Sequence, residues 1–147
     1  MHARRQRRRN ADIISLQRTG ALLEVDSDNR LICLVQGPED TPYFGKQWRI
    51  AITLPEDYPF KSPSIGFVDR IYHPNVELES GSVCLNALNH EWTPIYQLSF
   101  VIETLLPQLL TYPNAEDPLN HEAADFMLNN TEAYNAHICA YPGYNQT

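Results

Sequence analysis

Trp48, Ile50, Ile52 and Leu54 fall at every second position of one stretch, with Arg49, Ala51 and Thr53 between them. A two-residue period puts the apolar set on one face of an extended chain, so 48–54 is predicted as a strand with one buried face. Such a strand cannot stand alone: it needs neighbours to pair with and a second layer over its apolar face. Paired neighbours are close by. Apolar runs at 21–25 and 31–36 are joined by Asp26-Ser27-Asp28-Asn29, which is turn chemistry for a hairpin. Residues 64–68 make a fourth strand, reached through Pro55, Pro59 and Pro63. Links this short favour an antiparallel meander in chain order.

The covering layer comes from helical patterns on either side. Residues 5–17 carry Ile13, Ile14 and Leu16 near one face, and Thr19-Gly20 supplies a stop. Residues 94–110 place Leu98, Val101, Ile102, Leu105, Leu106 and Leu109 in a stripe, with Pro94 suited to the first turn and Pro107 predicting a kink or an early end. Asp117 as N-cap and Pro118 at the first position open a helix through Ala123, Ala124 and Met127. A weaker helix follows at 131–140, ended by Pro142 and Gly143. Residues 71–92 have no period and read as a long ordered loop, which in a compact domain is usually functional. The expectation is an α+β fold in one domain, 1–147: an N-terminal helix with an Arg-rich arm at 1–10, a four-stranded antiparallel meander, a long active-site loop, and two to three C-terminal helices.

At 147 residues, 43% hydrophobic and 20% charged, the chain can bury a real core. No apolar run approaches the roughly 20 residues of a membrane span, and no apolar segment follows the basic start, so neither a membrane nor a secreted protein is expected. The three cysteines, Cys33, Cys84 and Cys139, are widely spaced and unpaired in pattern, so no disulfide framework and no zinc site is suggested; a cytosolic or nuclear location fits. No cofactor is expected. All eleven Lys and Arg residues lie at or before Arg70, five of them between Arg4 and Arg9, whereas from residue 71 onward there are nine acids and no Lys or Arg. The Arg run reads as a helix face that docks an acidic protein, as a targeting signal, or as a solvated arm. With a net charge of −7 and no basic-aromatic platform, nucleic acid is not expected as a partner.

Cys84 carries the chemistry. A thiol can hold an acyl group as a thioester, and a nearby side-chain amide, here Asn75, can donate to the oxyanion formed when that thioester is attacked. The bland alternative is a small buried hydrophobe. A Cys-His protease, with His73 or His90 as base, competes poorly, because His73 precedes Pro74 in a turn and no oxyanion-hole signature surrounds Cys84.

His73-Pro74-Asn75, Cys84-Leu85, Trp92-Thr93-Pro94 and Tyr112-Pro113-Asn114-Ala115-Glu116-Asp117-Pro118-Leu119, in this order, resemble the signature of ubiquitin-conjugating enzymes. Gly37-Pro38, Thr41-Pro42-Tyr43 and the run from Leu54-Pro55 to Ser62-Pro63 match the same family, so the resemblance spans nearly the whole chain. The stretches 58–67 and 105–110, with the spacer from Asn75 to Cys84, resemble the histone-ubiquitinating branch that works with GID/CTLH-type ligases.

The resemblance implies that Cys84 takes ubiquitin from the activating enzyme as a thioester and passes it to a lysine of a protein substrate or to a ligase cysteine. Asn75 would steady the loop or donate to the oxyanion, with an Asx-type turn bond as its purely structural role, and Asp117 would position or help deprotonate the lysine. Phe60, Pro94 and Ile95 match the ligase-binding loops, unless Phe60 and Ile95 are core. Arg4, Arg5 and Arg8 match the activating-enzyme contact, and Thr104 and Gln108 would face the carried ubiquitin. Three departures stand out: Asn86 where an acid is common, Lys46 where Gly is usual, and no long acidic tail. Two alternatives share the fold: an inert ubiquitin-binding variant and a carrier of another modifier.

Overall fold

The computed structural model describes residues 2–83 and 92–145, so Cys84, Asn86 and His90 lie outside the described residues. The elements in chain order are α1 (His2–Arg18), β1 (Leu22–Ser27), β2 (Arg30–Gln36), β3 (Gln47–Thr53), β4 (Ser64–Phe67), β5 (Ser82–Val83), α2 (Leu98–Phe100), a π-helical turn (Val101–Leu105), α3 (Leu106–Thr111), α4 (His121–Asn129) and α5 (Thr131–Cys139). The five strands form one antiparallel sheet in sequence order.

The two-residue alternation is realised in β3, where Trp48, Ile50 and Ile52 are fully buried. Register follows from it: Ile50 lies opposite Cys33 on β2 and Phe67 on β4, and Ile52 opposite Leu31 and Ile65, so all these side chains share the inner face. Leu16 of α1 and Leu98, Val101, Leu105, Leu106 and Leu109 of the central helical segment close over that face in one core. Thr19 and Gly20 end α1 as expected, Gly20 taking the left-handed conformation at φ +79° that costs glycine nothing.

Four expectations are corrected. The sheet has a fifth strand, inside the stretch expected to be loop: two residues are too few to show a period. Gly81 makes it possible. At φ +77° it turns the chain, its carbonyl accepts from Phe67 N–H at 2.8 Å, and Val83 pairs with Ile65 while bridging Val76. Pro94 is not in a helix; it sits in a turn closed by Tyr96 N–H to Thr93 O at 3.1 Å, and helix begins at Leu98. Pro107 does not end the segment, which continues to Thr111. Its missing N–H and bulky ring cannot accept an ordinary turn over residue 103, and the turn before it widens instead, Leu106 N–H reaching back to Val101 O. Finally, Asp117 does not cap α4. Asn120 does, its Oδ1 accepting from Ala123 N–H at 3.0 Å, and Asn130 caps α5 likewise through Ala133 N–H at 3.1 Å.

A methyl group at Gly81 would meet Phe67 O at 2.0 Å on top of the left-handed backbone. Gly81→Ala is therefore expected to lower the unfolding free energy by about 2 kcal/mol or more in urea titrations followed by circular dichroism.

Candidate active site

His73-Pro74-Asn75 forms a turn closed by Val76 N–H to His73 O at 3.2 Å, and each of its residues fastens a different part of the helical half. His73 is fully buried: its Nε2 lies 3.0 Å from Leu109 O and its Nδ1 accepts from Asn75 N–H at 2.9 Å, so the neutral ring donates from Nε2. Complete burial pushes this imidazole down to about 4, against a smaller upward pull from the Leu109 carbonyl. Pro74 O accepts two N–H groups, from Leu119 at 2.8 Å and Asn120 at 2.9 Å. Asn75 is fully buried, and its amide bridges the 114–117 loop: Nδ2 donates to Asn114 O at 2.7 Å and to Asp117 O at 3.4 Å, while Oδ1 accepts from Asn114 N–H at 2.8 Å.

The turn is tied to the strand that precedes Cys84 in sequence, because Val76 bridges Val83. On one side of Cys84 the chain reaches Val83, pinned in β5. On the other it resumes at Trp92, whose indole N–H donates to Pro59 O at 2.8 Å and whose ring stands 5.9 Å from Tyr58 and 5.8 Å from Tyr96. Asp117 is exposed, its main chain held by Asn75 and its carboxylate in no ion pair or hydrogen bond to the described residues. Cys33, by contrast, is buried under the sheet, and desolvation pushes its thiol up to about 12. It is an inert core residue. His73, with both ring nitrogens spent on the backbone, is no base for a thiol.

The proposed partner faces separate along the surface. Phe60 and Ile95 are 63% and 84% exposed, which removes the core-packing alternative for both. Phe60 and Pro94 line one shallow groove with Arg4, Arg5 and Arg8. Arg4 is exposed and Arg5 lies 3.7 Å from Asp57. Arg8 is spent inward, on Asp12 and on two carbonyls of the 94–96 turn. Thr104 and Gln108 are exposed four residues apart on the outer side of the central helical segment.

The sequence matches the family model described as ubiquitin-conjugating enzyme over residues 5–141. The chain belongs to the ubiquitin-conjugating enzyme family. It is 44% identical over 137 residues to "Ubiquitin-conjugating enzyme E2 5" of Arabidopsis thaliana, covering 92% of this chain and 74% of that one. It is 41% identical over 138 residues to "Ubiquitin-conjugating enzyme E2-24 kDa" of Saccharomyces cerevisiae, covering 92% and 63%. The solved E2 domain of a Toxoplasma gondii ubiquitin conjugating enzyme superposes with a TM-score of 0.82 at 29% identity, over 93% of this chain and 95% of that one.

Within this ubiquitin-conjugating fold, the departure at Lys46 is accommodated because Gly45, at φ +86°, takes the left-handed position, and the Lys46 ammonium reaches Ile138 O near the C-terminal end of α5 at 3.3 Å. Sequence reasoning missed Asn114, the other half of the Asn75 bridge, and Asp12, an acid that is only 3% exposed. The signal for Asp12 was present: it stands four residues after Arg8 and four before Leu16, on the helix face that packs. Among the described residues no group of three or more His, Cys, Asp or Glu is placed to hold a metal.

The His73 ring titrates near 6.5 when unfolded and near 4 when folded, so between these values the unfolded chain binds the extra proton. Its contribution is complete above about pH 6.5 and is lost as the pH falls toward 4, amounting to about 2.5 kcal/mol between pH 7 and 4.5. Urea unfolding at both pH values should show His73→Gln losing that much less than the parent. Parallel losses in the two proteins would show that His73 does not set the slope.

Proposed function

We propose that this chain carries ubiquitin as a thioester on Cys84, accepting it from the ubiquitin-activating enzyme and delivering it to lysines of protein substrates with the help of a ubiquitin ligase. In loading, the Cys84 thiolate attacks the carbonyl of the activating enzyme's thioester, and the activating-enzyme thiolate leaves. In discharge, the lysine nitrogen attacks the carbonyl, a C–N bond forms, the C–S bond breaks, and the amine proton passes to base. Asp117, exposed and with its main chain fixed by Asn75, is the residue assigned to orient the amine and take that proton.

The observation that carries this reading is the buried Asn75 bridge to Asn114 and Asp117, because it fastens the acid's loop to the turn whose Val76 bridges Val83, the residue before Cys84 in sequence. In this state the Asn75 amide is fully used on the main chain, which supports its role in steadying the loop. Donation to an oxyanion would require it to exchange a partner. With Asn86 in place of the common acid, lysine positioning falls on Asp117, and unassisted discharge is slow.

The finer assignment is to the branch that acts on histones with GID/CTLH-type ligases. The motifs at 58–67 and 105–110 support it, and the exposed Phe60, Pro94 and Ile95 are the face offered to the ligase. The described cysteines are free thiols, which fits a reducing cytosol or nucleus.

Incubation with activating enzyme, ATP and ubiquitin is expected to give an adduct that is lost on reduction and absent in Cys84→Ala, with Asp117→Ala charging normally but discharging to free lysine at least tenfold more slowly. A folded sample that never forms the adduct, or forms it only with another modifier, would sink the ubiquitin reading.

A further inference from the structure

Arg8 lies at the meeting point of three segments. Its Nη1 donates to Pro94 O and its Nη2 to Tyr96 O, both at 2.6 Å, while Nε donates to Asp12 Oδ2 at 2.8 Å. The same Asp12 oxygen accepts from the Tyr58 hydroxyl. The Arg8 guanidinium lies 5.8 Å from the centre of the Tyr58 ring, which packs against Trp92, itself bonded to Pro59 O. Burial, then the bond to Asp12, raises the Tyr58 phenol above its ordinary range, so it stays a donor.

The 93–97 segment has neither helix nor strand of its own. Its internal ties include the Tyr96 N–H bond to Thr93 O and an Ile95 N–H bond of 3.3 Å to Thr93 Oγ1. Arg8 grips the carbonyls on either side of Ile95, which leaves the Ile95 side chain turned outward. We propose that Arg8 is a positioning residue for ligase engagement: its planar fork, anchored on buried Asp12, holds the Pro94–Tyr96 turn so that Ile95 and Pro94 are presented beside Phe60. The proposal rests on the reading that those three residues dock a ligase. It assigns to Arg8 a role reached through geometry rather than through surface charge. A lysine keeps the charge but cannot bridge Asp12 and two carbonyls at once.

The test compares the full chain with Arg8→Lys and Asp12→Asn. The probe is the RING pair of a GID/CTLH-type ligase or, if that pair does not accelerate wild-type discharge, a RING domain that does. Both variants should raise the KM for the RING at least tenfold while kcat for thioester discharge stays within about twofold, and both should shift the Trp92 indole and Ile95 amide resonances. Buried Asp12 offers no contact to a partner, so a shared pattern separates positioning from docking. If Asp12→Asn does not fold, Tyr58→Phe, which deletes only the hydroxyl, takes its place. Arg8→Lys with wild-type KM and wild-type resonances would overturn the proposal. If no RING accelerates the wild type although it charges, the ligase reading itself falls, and the proposal with it.

Discussion

The joint on which the rest depends is the side-chain amide of Asn75. Both of its N–H groups and its oxygen are satisfied by the main chain of residues 114 and 117, in a site closed to solvent. Losing either partner would strand a buried polar group, at a cost of about 1–3 kcal/mol. Aspartate at this position could accept from Asn114 but could not donate to either carbonyl, so asparagine is required by the bonding and not by size. His73 and Pro74 extend the seam to Leu109, Leu119 and Asn120. Three consecutive residues therefore order a stretch, 112–120, that has no regular secondary structure through most of its length.

Charge is divided unevenly between structure and surface. Among the described residues, the basic half spends much of its charge internally. Arg8 and Arg9 donate to backbone carbonyls of the 94–96 and 55 positions, and Arg49 makes a bidentate pair with Asp69 beneath the Tyr144 ring. The acids from residue 71 onward are mostly exposed. Among the described residues their side-chain bonds include Arg70 to Glu79, Tyr72 to Glu122 and Asn129 to Asp125. The fold has cations as fasteners and anions as surface. Within the Arg run, Arg4 and Arg7 are exposed, whereas Arg5, Arg8 and Arg9 are half-buried.

Much of this was legible in the sequence, for reasons that mark where legibility stops. The strands at 48–54 and 31–36 and the stripe of the central helical segment were readable because a buried face imposes a period on its own residues. Gly20 was readable because only a local backbone conformation decides it. What could not be read was decided between distant segments. β5 has no period in two residues and exists because Gly81 lets the chain turn onto the β4 edge. Asp117 and Asn120 are both good capping residues, and the choice fell to Asn120 because Pro74 O draws in the N–H groups of residues 119 and 120 and delays the helix. Phe60 and Ile95 look like core in composition; their exposure follows from the Trp92 and Arg8 bonds that hold the main chain beneath them.

That competition over the helix start has a chemical consequence. A carboxylate used as an N-cap is committed to main-chain N–H groups and favoured in its charged form by the helix end, which makes it a poor acceptor for a mobile proton. Asp12 shows the committed state elsewhere in the molecule: buried, bonded to Arg8 and Tyr58, and out of reach of any substrate. Asp117 is in the opposite situation. Its main chain is fixed through Asn75, while the capping duty sits three residues later on Asn120, so its carboxylate is exposed and unbonded among the described residues. The seam that delays α4 is thus the same device that leaves the Asp117 carboxylate exposed and uncommitted among the described residues.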